Sequence, residues 1–282
     1  MSSVVLPKEL EGRARDLLAG RLVPAPARDA ATVVLIRDAS EGGIEVYLLR
    51  RKPTMAFAAG AYVFPGGSVD PRDADHGLAW AGPDPAEWAR VFLAEESTAR
   101  GLVCAAVRET FEESGVLLAG SAEAEVVGDT TGEDWERDRE ALIDRSLAFS
   151  DLLERRGLVL RSDLMRPWAH WITPEIESKR FDTRFFVAAL PPGQRTRYVS
   201  GEADRVTWLS PTAAVESAKN GEMFLMVPTF TTLIELSAYQ SVEAVLAQQR
   251  HMVPLMPTVE EVAGELRFVL PENTYALHGR VL

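Results

Sequence analysis

Arg108-Glu109-Thr110-Phe111-Glu112-Glu113-Ser114-Gly115-Val116 is the stretch that decides how this chain is read. At about 100° per residue on a helix, its three glutamates fall within an arc of roughly 100°. Cys104, Val107, Phe111 and Leu118 fall on the opposite side. One face is apolar and the other concentrates negative charge. Three neighbouring carboxylates repel one another unless solvent, Arg108 or a cation offsets the charge. Oxygen ligands of this kind suit a hard divalent ion such as Mg²⁺. The plainer alternative is a solvated amphipathic helix with an acidic outer face, which is common on protein surfaces. Two neighbours weigh against it. Gly115 ends the helix, and upstream Phe64-Pro65-Gly66-Gly67 makes a tight turn after an apolar strand.

Moving outward, residues 30–36 form a β-branched apolar run, the pattern of a buried strand. Glu41-Gly42-Gly43 marks a hairpin turn and residues 44–50 the returning strand. Residues 61–65 make another short strand. Residues 84–99 are helical in pattern, with Asp84 as N-cap and Pro85 at the first helical position. The acidic helix spans 102–118, and charged helical stretches such as 134–156 follow. Strands are expected at 181–190 and 206–209, a helix at 211–220 with Gly221 just past its end, and a long amphipathic helix at 228–251. Residues 5–20 suggest a short helix and 264–282 an extended segment. Strands and helices that do not alternate strictly imply a mixed sheet rather than a doubly wound parallel one.

Composition points to a soluble protein. The chain has 282 residues, 46% of them hydrophobic, enough for one large domain with an elaborated periphery or two small ones. It holds no apolar run long enough to span a bilayer, and no secretory signal is visible at the start, so no membrane association is expected. Gly279-Arg280-Val281-Leu282 is not a Ser-Lys-Leu peroxisomal address. One cysteine cannot form an internal disulfide, which fits the cytoplasm, and Cys104 belongs to the apolar face as a core residue. A formal charge of −12 argues against broad nucleic-acid binding, which depends on neutralising phosphates. A small anionic substrate stays open, because metal ions and a few local arginines can offset the carboxylates.

The quoted residues resemble the signature of the Nudix hydrolase family: a glycine, five residues, a glutamate, seven residues, then Arg-Glu-aliphatic-x-Glu-Glu-x-Gly-aliphatic. Gly67 fits the first glycine, and Arg108, Glu109, Glu112, Glu113, Gly115 and Val116 fit the second half in order. Thr110 stands where an aliphatic residue is usual, and Asp73 stands six residues after Gly67, where a glutamate is usual. Thirty-four residues separate Asp73 from Arg108, so about 27 are inserted. This split box is similar to the branch that includes the peroxisomal coenzyme A diphosphatases. The resemblance implies one domain over residues 1–282, an α/β/α sandwich around a mixed sheet. Its core would lie at about 30–215, with a helical insertion at 74–107 and a helical extension at 216–282.

The resemblance also implies a site. Glu109, Glu112 and Glu113 would hold Mg²⁺ or Mn²⁺, and a carbonyl of the glycine turn, that of Gly66, would reach the metal. Arg108 would orient the glutamates. A further acidic residue from a distant loop is expected, with Glu202 the choice, Asp204 next, and Asp182 and Glu175 weaker. Glu202 or a helix glutamate would serve as general base. The implied substrate is a nucleoside diphosphate linked to another moiety. Coenzyme A or acyl-coenzyme A comes first, with ADP-ribose or NADH as the alternative. From another class come a catalytically silent nucleotide-binding sensor and a purely structural acidic helix. Arg50 and Arg51, in the basic run after an apolar strand, are candidates for the pyrophosphate or simply a soluble strand end. Arg180 and Arg184, near Trp168 and Trp171, are candidates for adenine or phosphates. His170 reads as a packed, hydrogen-bonded side chain. A homodimer is compatible with the chain.

Overall fold

The computed structural model describes residues 3–55, 58–74, 77–121, 125–197 and 203–270. In chain order, β1 (Ser3–Val5) leads into α1 (Glu11–Leu18). β2 (Ala27–Asp38), β3 (Ile44–Arg51), β4 (Tyr62–Val63) and β5 (Gly66–Ser68) follow. A 3-10 turn at Pro71–Ala74, β6 (Trp80–Ala81) and α2 (Pro85–Phe92) precede α3 (Glu96–Ser114). Then come β7 (Ala119–Gly120), α4 (Glu133–Ile143), α5 (Phe149–Arg156), β8 (Val159–Arg161), β9 (Met165–Ile172), β10 (Arg180–Ala189) and β11 (Ala203–Leu209). The chain continues through α6 (Pro211–Lys219), α7 (Val227–Leu236), α8 (Val242–Leu246), β12 (Pro254–Leu255), β13 (Thr258–Val262) and β14 (Glu265–Val269).

The main sheet runs β11-β3-β2-β10-β9-β12, with β4 added against β3 and β5 against β2. It is mixed: β2 and β10 pair in parallel, while β2 with β3, β3 with β11, and β10 with β9 pair antiparallel. β2 is covered on both faces, so Val33, Val34, Leu35 and Ile36 are all fully buried and read as a continuous apolar run. Ala31, Val33 and Leu35 face the layer that holds α3. Val34 and Ile36 face the layer of α6, α7 and α8. The result is an α/β/α sandwich. Among the described residues no helix is long and apolar enough to cross a membrane.

α3 starts six residues before the expected 102 and ends at Ser114 rather than 118. Its first half is core: Leu102, Val103, Ala105, Ala106 and Val107 are fully buried. Burial of side chains the size of Leu102 stabilises by about 1.5–3 kcal/mol each. Gly115 stops the helix in a left-handed conformation (φ 74°), its N–H bonding Phe111 O at 2.9 Å. Part of the segment expected as a peripheral insertion is therefore the buried root of the acidic helix.

The 84–99 helix is also shorter than its pattern. Asp84 caps α2 through a reciprocal bond pair with Glu87, but Leu93 turns left-handed (φ 53°) and separates α2 from α3. α2 is tied to the sheet by Trp88 and Phe92, which both pack edge-on against Phe186 at 5.6 Å.

Three further expectations change. The 134–156 stretch is two helices, broken where Arg145 adopts φ 64°. The long helix expected at 228–251 is α7 and α8. Its periodicity hid a break in which Ser241 turns extended and its Oγ accepts from Ala244 N at 3.2 Å as a new N-cap. The C-terminal extension is not wholly helical. β12 joins the main sheet beside β9, and β14 pairs with both β1 and β13 in a separate small sheet.

Candidate active site

The last two turns of α3 line a cleft of about 220 Å³, and the β5 turn packs directly against the same glutamates. Asp70, Asp73, Glu109, Glu112 and Glu113 line it, and so do Arg72, Arg108 and Arg145. Leu142, Ile143, Leu147 and Phe149, from α4, α5 and their connection, make an apolar wall, and Ala203 closes the end of β11. The helix periodicity that places the glutamates on one ridge thus presents them to a partly enclosed space.

Arg108 is the organising side chain. Its Nη1 donates to Glu109 Oε1 at 2.9 Å and to Glu112 Oε1 at 3.1 Å. Its Nε and Nη2 donate to the two oxygens of Asp73 at 3.0 and 2.9 Å, and Nη2 also reaches Ser68 O at 3.0 Å. Asp73 is 2% exposed and also accepts Asp70 N at 2.8 Å. Residues 73 and 108 lie 35 positions apart with α2 between them, yet they form one fork-to-carboxylate pair. Cys104 Sγ donates to Asp73 Oδ1 at 3.5 Å, and burial pushes its thiol well up, which suits a core residue rather than a nucleophile.

The two glycines press the turn against the helix. A Cβ on Gly67 would lie 2.4 Å from Glu109 Oε1, and one on Gly66 would lie 2.5 Å from Ala31 O. Neither position has room for a side chain. Gly66 N donates to Glu113 Oε2 at 2.9 Å, so the turn and the third glutamate are joined directly.

Burial is the largest influence on the carboxylates. It pushes Glu109 up to about 7 against the lowering effect of Arg108. Glu112 is also raised, by burial first, with Arg108 and Arg145 acting the other way. Five carboxylates against three guanidiniums leave the cleft short of positive charge. Among the described residues, no three acidic, histidine or cysteine side chains close into a complete metal cage. The donor set nevertheless fits a hard divalent ion. It is all oxygen, it is under-compensated, and the second oxygens of Glu109 and Glu112 accept no hydrogen bond among the described residues. An ion here would complete its coordination from water or substrate.

The other sequence candidates lie elsewhere. Glu202 falls outside the described residues, although it immediately precedes Ala203 of the cleft. Asp204 is engaged by Arg50, with Nε–Oδ1 and Nη2–Oδ2 both 2.7 Å. Arg51 ends β3 and does not line the cleft. Arg180 ties the start of β10 to the segments flanking β9 and β2, donating to Thr173 O at 3.0 Å and Ala25 O at 2.7 Å. Arg184 is 5% exposed and paired with Asp182, which also meets His170 Nε2 at 2.5 Å. These residues form a polar knot on β9 and β10, and none of them lines the cleft, nor does Glu175. Sequence reasoning missed Asp70, Arg72, Arg145 and the apolar wall. Asp70-Pro71-Arg72-Asp73 carried a usable signal, a turn-forming acidic pair beside the glycine turn. Arg145 carried none.

A family model described as the NUDT19 Nudix domain matches residues 92–236, half of the chain. The acyl-coenzyme A diphosphatase NUDT19 of Xenopus laevis is 26% identical over 235 residues, covering 68% of this chain and 59% of that protein. The chain thus spans less than two thirds of that relative's length. The Gallus gallus protein of the same name is 29% identical over 267 residues, covering 76% of this chain and 69% of the relative. A crystal structure of a NUDIX hydrolase from Alicyclobacillus acidocaldarius superposes with a TM-score of 0.70 at 30% identity, covering 80% of this chain and 98% of that one.

Proposed function

The chain belongs to the Nudix hydrolase family, and from that premise we propose that it is a divalent-metal-dependent hydrolase of diphosphate-linked nucleotides, with coenzyme A or an acyl derivative as substrate. The observation that carries the reaction class is that Glu109, Glu112 and Glu113 line one cleft while Glu109 and Glu113 also meet the Gly66–Gly67 turn. The substrate class is supported by the names of the Xenopus laevis and Gallus gallus relatives.

Glu109, Glu112, Glu113 and the Gly66 carbonyl would hold Mg²⁺ or Mn²⁺. When bound, such an ion neutralises phosphate charge and makes water more acidic. Arg108 acts as a positioning residue, fixed by Asp73 and fixing Glu109 and Glu112 in turn. Water attacks one phosphorus in line, the bond from that phosphorus to the bridging oxygen breaks, and Glu202 or a helix glutamate accepts the water's proton. The wall of Leu142, Leu147 and Phe149 limits water on the other side of the cleft. From coenzyme A the products are 3′,5′-ADP and 4′-phosphopantetheine.

The test is hydrolysis of coenzyme A, an acyl-coenzyme A, ADP-ribose, NADH and a diadenosine polyphosphate side by side, with Mg²⁺ and with Mn²⁺. The expected result is metal-dependent 3′,5′-ADP release, with kcat/KM highest for a coenzyme A compound. Preference for ADP-ribose or NADH would overturn the substrate, and no turnover of any compound would overturn the reaction.

A further inference from the structure

Arg145 is the cation of the cleft wall that the arrangement above leaves unused. Arg72 is bound to Asp70, with Nε–Oδ1 and Nη2–Oδ2 both 3.0 Å. Arg108 is shared by Asp73, Glu109 and Glu112. Arg145 lines the same cleft at its solvent-exposed rim, and its guanidinium makes no hydrogen bond or ion pair among the described residues. It lies within electrostatic reach of Glu112, which lines the same cleft.

Its backbone is unusual and fixed. Arg145 has φ 64°, a conformation in which glycine is the favoured residue and an arginine is strained. The turn is nevertheless pinned. Arg145 N bonds Leu142 O at 3.0 Å, Arg72 Nη1 donates to Arg145 O at 3.2 Å, and Ser146 N bonds Asp144 Oδ1 at 2.8 Å. Leu142 and Leu147 on either side are buried in the core. A strained residue on a rigid turn, carrying a charge that no neighbour uses, is placed for a ligand.

We propose that Arg145 is a substrate-gripping residue whose guanidinium binds oxygens of the substrate's diphosphate, across the cleft from Glu112. The inference rests on the diphosphate chemistry proposed above and adds the residue that holds the anion. A planar guanidinium matches two phosphate oxygens at once, which an ammonium does not.

Calorimetric binding of inorganic pyrophosphate with Mg²⁺ to the full chain tests it, using the wild type, Arg145→Gly and Arg145→Lys. Glycine satisfies the left-handed backbone, so any loss in that variant reports the guanidinium and not the turn. The wild type should bind, Arg145→Gly should bind about tenfold or more weakly, and Arg145→Lys should recover part of the loss. On whichever compound the wild type hydrolyses, Arg145→Gly should raise KM by a similar factor and change kcat far less. Binding by Arg145→Gly within threefold of the wild type, or no binding by the wild type, would overturn the proposal. Weakened pyrophosphate binding by Arg145→Gly, together with no hydrolysis by the wild type of any compound in the panel above, would leave this inference standing and remove the proposed activity.

Discussion

The two halves of α3 are one continuous helix with opposite tasks. Up to Val107 it is apolar and buried, with Leu102, Val103, Ala105, Ala106 and Val107 packed into the layer between sheet and helices. From Arg108 onward the helix points charged side chains into a cleft, where burial raises Glu109 and Glu112 above their usual range. The first half supplies stability and the second half spends some of it to keep carboxylates in a poorly hydrated place. A surface helix with the same glutamates would hold them in water, with little reason to take up an ion. The contrast explains why the acidic end can be locally unfavourable while the helix stays straight and fully formed.

Substitutions should separate the halves. The largest effect is expected for Glu112→Gln. Turnover on the preferred substrate should fall by more than about a hundredfold, since altering even supporting groups around a metal costs tens-fold. The melting temperature should hold or rise, because a charge that burial disfavours is removed. Near-normal turnover would break the comparison at its acidic end. Leu102→Ala should do the reverse. Stability should fall by about 2–5 kcal/mol in denaturant unfolding. KM and kcat of the protein that remains folded should stay close to wild type.

A smaller effect comes from pH. Glu109 is raised from the usual 4.5 to about 7, so the fold favours its protonated form. Without metal, the stability this group contributes is fully present below about pH 4.5 and is lost as pH rises through about 7. Glu109→Gln should flatten that slope in metal-free unfolding curves. Metal binding needs the ionised form, so Mn²⁺ affinity measured by calorimetry should climb between pH 6 and 7 and level off by pH 8. Equal affinity across that range would show that proton and metal do not compete for this carboxylate.

The acidic end of α3 was far more legible than its surroundings. Spacing alone placed Glu109, Glu112 and Glu113 on one ridge, and Gly115 was legible as a stop even though the segment was drawn on to 118, because helical period and glycine stops are local properties. The mixed sheet could also be read, since its central strands are long apolar runs. The start of α3 was read as helical but joined to the wrong helix, because the left-handed turn at Leu93 that splits residues 84–99 leaves no mark in the apolar pattern. The break between α7 and α8 was hidden by apolar residues that keep a helical period across it. The pairing of Asp73 with Arg108 spans an insertion and is a tertiary fact. Arg50, Arg180 and Arg184 are equally basic in sequence as Arg145, and only the fold separates those engaged by Asp204, by main-chain carbonyls or by Asp182 from the one at the cleft.

The most direct measurement is anomalous diffraction from crystals of the protein soaked in Mn²⁺. The account predicts a peak within coordination distance of carboxylate oxygens from Glu109, Glu112 or Glu113, beside the Gly66–Gly67 turn, and its loss in Glu112→Gln. A clear map with no manganese there, or with manganese bound only at other acidic surfaces, would contradict it.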